Sequence, residues 1–190
     1  MKCFRCNKKA AIVDFKHLPG EMCSGCFARL IEQRVRKQMR TTDWFKAHDK
    51  ILILDDGSVN ASVSEYLLER ILKDVPKELK VVKRLPKRVS KNVKVVVPWS
   101  IDLEVEEFLH AMFEGVNLKQ EREIRLLRNV AEEEIILFAK LKKLKGKRIK
   151  ATFPEIREMI AELSKTYPGA RFSLLKSSKS YASDACHTVK

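Results

Sequence analysis

The sequence predicts an α/β protein, a three-layer sandwich around a mostly parallel sheet, preceded by a small four-cysteine metal module. Three observations carry this reading. Short apolar runs typical of buried strands alternate with longer segments of helical period. Four of the five cysteines crowd into the first 26 residues. Hydrophobic residues make up 45% of the 190-residue chain and charged residues 34%, a balance that supports one packed domain with a small appendage. The expected organisation is a cysteine module with a basic linker helix over residues 1–45, an α/β domain over 46–176, and a flexible tail over 177–190.

The elements follow in order. Phe27, Leu30, Ile31, Val35 and Met39 form an apolar stripe at helical spacing, so a helix is expected from Phe27 to about Arg40. Ile51 to Leu54 reads as a buried strand, and the polar run Asp55, Asp56, Gly57, Ser58 ends it. Val63, Tyr66, Leu67 and Ile71 place a helix over 62–72. A strand around Leu79 to Val82 and another at Val93 to Val97 come next. Val105, Phe108, Leu109 and Met112 mark a helix that Gly115 stops. Ala131 to Leu144 is a further helix, with Glu132, Glu133 and Glu134 in its first turn and lysines in its last, the order that complements the helix dipole. A helix from Pro154 to about Lys165 ends at Pro168 and Gly169, and Phe172 to Leu175 is a short apolar run. The alternation of strands and helices is what calls for a parallel sheet.

Cys3, Cys6, Cys23 and Cys26 form a C-x2-C-x16-C-x2-C pattern. Two residues between cysteines let both sulfurs of one tight turn reach a common ion, and two such turns complete a tetrahedron. The pattern points to a structural zinc ion with no open coordination position. A redox dithiol and an iron–sulfur cluster are the alternatives. His17 reads as a solvent-facing residue rather than a ligand. Cys186, beside His187, reads as an isolated tail cysteine.

Lys and Arg number 39 against 25 Asp and Glu, a net charge of +14, which favours a polyanion partner. Three clusters concentrate it: 29–40, 77–94 and 140–150. Arg29, Arg34, Arg36, Lys37, Arg40, Lys83, Arg84, Lys87, Arg88 and Lys91 are the candidate RNA contacts. Aromatic residues are only 7%, which suits folded RNA read by shape better than a base-stacking platform for single strands. No apolar run exceeds Ile135 to Ala139, so no membrane helix or membrane partner is expected. Residues 1–6 lack a secretory pattern, so a cytoplasmic location is expected.

The turn at 56–62 follows a strand and opens a helix, where α/β proteins bind phosphate through backbone N–H groups. It holds one glycine, no following lysine, and Asp55 and Asp56 set against an anion. An ordinary strand-to-helix turn is the competing reading.

The order of these features resembles the PP-loop ATP pyrophosphatases that 2-thiolate tRNA uridines, and especially the non-catalytic partner subunit of the wobble-uridine thiolase. The residues that carry it are the cysteine pair Cys23 and Cys26, the basic helix 29–40, the strand and loop 51–61, the run Arg125 to Ala139, and the segment Tyr167 to Leu175. The resemblance implies an adenine nucleotide α-hydrolase-like fold. Active members carry Ser-Gly-Gly-x-Asp-Ser where this chain has Asp56, Gly57, Ser58, Val59, Asn60, Ala61 and then Ser62. Their acidic motif is reduced here to Asp102 and Glu104 in the run Ser100 to Glu104, and the segment between Asp74 and Val93 is shorter than in active members. They also use cysteines of the catalytic domain for sulfur transfer or a cluster, and none occurs here between Cys26 and Cys186. The resemblance therefore implies a pseudoenzyme without catalytic residues or ATP, holding tRNA and either a catalytic thiolase paralogue in a hetero-oligomer or a second copy of itself. The exposed faces of 103–112 and 172–175 are the expected dimer surface. The alternatives are an active ATP-dependent, sulfur-transferring tRNA-modifying enzyme, and a zinc-ribbon nucleic-acid-binding protein unrelated to tRNA modification.

Overall fold

The computed structural model describes residues 1–86, 88–90, 92–118 and 122–185. The elements are α1 (Ser24–Thr42), β1 (Asp49–Leu54), α2 (Val59–Ile71), β2 (Lys77–Val82), β3 (Val93–Ser100), α3 (Ile101–Glu114), β4 (Ile124–Leu127), α4 (Glu132–Lys142), α5 (Pro154–Thr166) and α6 (Ala170–Ala185). The strands form one parallel sheet in the order β2-β1-β3-β4. Because the chain leaves β1 in one direction and returns at β3 on its other side, the topological switch lies between them. The ends of β1 and β3 there form the crevice in which such sheets bind ligands.

Helices α1, α2 and α4 pack together, and α3, α5 and α6 pack together. Each group has its own buried cluster, one including Ile51, Leu67, Leu126 and Phe138, the other Ile101, Val105, Ile160 and Leu175. The expected three layers are present. The first cluster also contains Cys3, Val13, Leu18 and Met22, so the cysteine head shares its core with the sheet.

Several elements differ from expectation for physical reasons. β3 continues past Pro98 to Ser100, because the register shift between Val97 and Ser100 places the proline where no ladder hydrogen bond is required. β4 was not expected, since Arg125 interrupts its apolar residues, yet all four of its residues are buried. The 172–175 run belongs to α6, which extends through residues 177–185 of the expected tail. Ser178 is buried there, and Tyr181 meets Phe108 edge-on, with ring centroids 6.1 Å apart. Leu103, Phe108 and Leu175 are buried within the chain and so do not form the expected dimer surface. On α3 only its C-terminal end leaves Met112 and Phe113 exposed.

Candidate functional site: a metal centre, a closed turn and a basic edge

The head is folded by its own backbone. Two antiparallel bridges, Lys2 with Ala10 and Val13 with Met22, bring the cysteine turns together. Within the first turn, the Cys3 amide donates to Lys9 O at 2.8 Å and the Asn7 amide to Cys3 O at 2.9 Å. The second pair sits at the start of α1, where Phe27 N–H donates to Cys23 O. The four sulfurs lie within 4.8 Å of one another, and Cys6 Sγ is 3.9 Å from Cys23 Sγ. Four thiolates around one ion at about 2.3 Å stand about 3.8 Å apart, so this set fits a single tetrahedral metal. The Cys23 backbone amide holds the Cys3 thiol down to about 6, while burial pushes Cys26 up to about 12. A cation held by the four sulfurs would supply the charge that ionises the resistant thiol.

His17 is not solvent-facing. Its side chain is 7% exposed, stacks on Phe15, and donates from Nε2 to Glu134 Oε1 at 2.9 Å. Arg34 Nη1 donates to both oxygens of the same carboxylate at 2.8 and 2.9 Å, and the Ala131 amide to Oε2 at 3.0 Å. Glu134 thereby clamps the head and α1 to the start of α4. Arg34, a candidate RNA contact, is a structural cation.

The turn after β1 is built to satisfy itself. Gly57 sits at φ +78°, the left-handed region that glycine enters without strain. Gly57 N–H donates to Asp55 Oδ1 and Ser58 N–H to Asp56 Oδ1, both at 2.9 Å. Ser58 caps α2, its Oγ accepting from Ala61 N–H at 3.1 Å. A strap formed by 145–147 then crosses the turn: Val59 N–H donates to Lys147 O at 2.9 Å, Lys147 N–H to Gly57 O at 2.8 Å, and Ser62 Oγ–H to Lys145 O at 2.7 Å. The amides of Gly57, Ser58, Val59 and Ala61 are thus engaged by the chain's own oxygens. Asn60 and Ala61 are buried, and Asn60 Nδ2 finds no hydrogen-bond partner among the described residues.

The strap passes so close that a Cβ on Gly146 would stand 2.5 Å from Ser58 C and Val59 N. Gly146→Ala is therefore expected to push the strap off the turn at a cost of about 1–3 kcal/mol. A lowered melting temperature with faster amide exchange at Val59 would register it; unchanged exchange there would refute the contact.

Beside the turn, a cavity of about 400 Å³ occupies the switch point, with Asp56, Trp99, Arg125, Lys150 and Thr152 in its wall. The Arg125 guanidinium lies 4.1 Å from the Trp99 ring centroid. The reduced acidic motif serves structure. Asp102 accepts from Glu132 N–H at 2.7 Å and pairs with Arg171 at 3.2 Å. Glu104 pairs with Arg125 at 2.8 Å and with Arg128. Glu132 binds Arg148 and Arg157, and Glu106 also holds Arg157. These arginines are spent on buried carboxylates, so much of the outward positive charge is lysine.

Because the strands are parallel, their C-terminal ends share one edge. Lys83, Arg84 and Arg88 are exposed beyond β2, and the strap lysines Lys145 and Lys147 cross the end of β1. Arg29, Arg36, Lys37 and Arg40 are exposed on α1. Lys87, Lys91, Cys186 and His187 lie outside the described residues. Sequence reasoning missed Glu134 and the strap; the glycine between Lys145 and Lys147 was the one local signal of close approach.

No protein-family model matches this sequence, and no curated protein matches it. Among solved structures, the chain is similar to the U34-tRNA thiolase NcsA from Methanococcus maripaludis, determined with its 4Fe-4S cluster. The TM-score is 0.79 over 96% of this chain and 87% of that one, at 19% sequence identity. The chain shares the α/β fold of that thiolase.

Proposed function

We propose that this protein is a non-catalytic, zinc-containing subunit that holds tRNA, or a catalytic thiolase paralogue, during wobble-uridine 2-thiolation. The observation that carries this reading is the closed turn on a thiolase fold: Gly57, Ser58, Val59 and Ala61 already donate their amides within the chain. A triphosphate would have to displace two aspartates and the strap. The basic carboxyl edge supplies sequence-independent phosphate contacts. Zinc is favoured over a cluster by the sulfur spacing, since four irons hold their cysteines farther apart than one ion does. A cytoplasmic site of action accords with reduced thiolates.

The switch-point cavity beside Asp56 favours a second reading, an active ATP-dependent tRNA-modifying enzyme. Calorimetry separates the two. ATP with magnesium is expected to give no saturable heat, whereas tRNA binds with affinity that falls steeply as salt rises. Saturable ATP binding, or pyrophosphate release in the presence of tRNA, would establish the enzyme instead. Absence of both tRNA binding and association with a thiolase from the same cell would remove the subunit reading.

A further inference from the structure

Beyond the outer edge of β4, α1 and α6 enclose a cavity of about 670 Å³, apart from the cysteine cluster and from the turn after β1. Lys37, Gln38 and Thr41 line it from α1, Arg128 and Asn129 from the end of β4, and Lys179 from α6. No carboxylate of the described residues is in its wall. Lys37 and Lys179 have no carboxylate partner among the described residues, and Arg128 keeps a buried Nε without an acceptor after pairing with Glu104. Asn129 Nδ2 donates to Gln38 Oε1 at 2.7 Å, which fixes the buried Gln38 amide and turns its own N–H groups elsewhere. Burial and the neighbouring Arg128 guanidinium both lower the Lys179 ammonium from its ordinary value. Two lysines without a carboxylate partner, beside an arginine with a spare N–H and a fixed amide, are relieved by an anion with several acceptor oxygens.

We propose that this cavity binds a phosphate group, neutralised by Lys37, Arg128 and Lys179 and hydrogen-bonded by the Gln38 amide. The phosphate belongs either to an RNA strand, in which case the site rests on the tRNA-binding reading above, or to a free phosphorylated nucleotide.

Amide chemical shifts of the full chain, titrated with inorganic pyrophosphate at low salt, test the site apart from that reading. Saturable shifts centred on Gln38, Thr41 and Asn129 are expected. The double variant Lys37→Glu, Lys179→Glu changes two exposed side chains and is expected to weaken binding by about tenfold or more, while Lys80→Glu on β2 leaves it unchanged. Shifts that scatter over lysine surfaces without saturating, or that persist at equal affinity in the double variant, overturn the proposal. Adding tRNA then identifies the source. Displacement of pyrophosphate assigns the cavity to an RNA phosphate, and tRNA bound with pyrophosphate retained assigns it to a free nucleotide. A chain that takes up pyrophosphate here and binds no tRNA at all keeps the phosphate site and loses its place in the RNA-binding reading.

Discussion

Treatment with a strong chelator, or replacing Cys26 with serine, is expected to lower the melting temperature of the whole chain by about 10 °C or more, as removal of an ion from the four sulfurs would. The size of the effect follows from connectivity. Cys3, Cys23 and Cys26 belong to the same buried cluster as Ile51, Ile53 and Leu126. Cys26 also lies in the first turn of α1, whose buried residues Phe27, Ile31 and Val35 cover the sheet. Loss of the ion leaves four thiols converging with no cation between them, and α1 loses its anchored start. Elemental analysis of the purified protein is expected to give one zinc per chain. A melting curve indifferent to chelation would mean that the head is held by its two bridges and apolar packing alone.

Glu134→Gln is expected to destabilise the protein by about 3–5 kcal/mol, the usual cost of breaking a buried ion pair by neutralising one partner. The side chain is fully buried and serves His17, Arg34 and the Ala131 amide at once. Burial alone would raise its pKa, but the hydrogen bond from His17 and the Arg34 charge outweigh it and hold the carboxyl below its ordinary value of 4.5. A carboxyl depressed in the folded state contributes its full stability above the ordinary value. It loses that stability as pH falls from 4.5 through the lower folded value. Denaturant midpoints measured across this range are therefore expected to decline in the wild type and to decline less in Glu134→Gln. Parallel declines would show that Glu134 titrates alike in both states. His17→Ala and Arg34→Ala each remove one partner of the triad, so their effects are expected to be non-additive with Glu134→Gln in a double-mutant cycle.

Features set by near neighbours were legible in the sequence. The cysteine spacing brought out Cys3, Cys6, Cys23 and Cys26, because two-residue loops constrain sulfurs locally. Apolar periodicity brought out β1, α2 and α3, and Gly115 marked the left-handed cap of α3. Arg125 hid β4, since a buried guanidinium in a strand is intelligible only with Glu104 opposite it. The regular alternation of strand and helix also pointed correctly to a parallel sheet.

What tertiary structure alone decided is which charges face outward. Arg34 and His17 meet Glu134 from 100 and 117 residues away, and no pattern in the chain announces such a pairing. The same holds for the turn at Gly57, whose composition left its capacity for phosphate open until the strap from 145–147 was seen to occupy its amides. Periodicity and ligand spacing are properties of consecutive residues. The desolvation that turns a basic side chain into a structural one depends on contacts formed only when the chain has closed on itself.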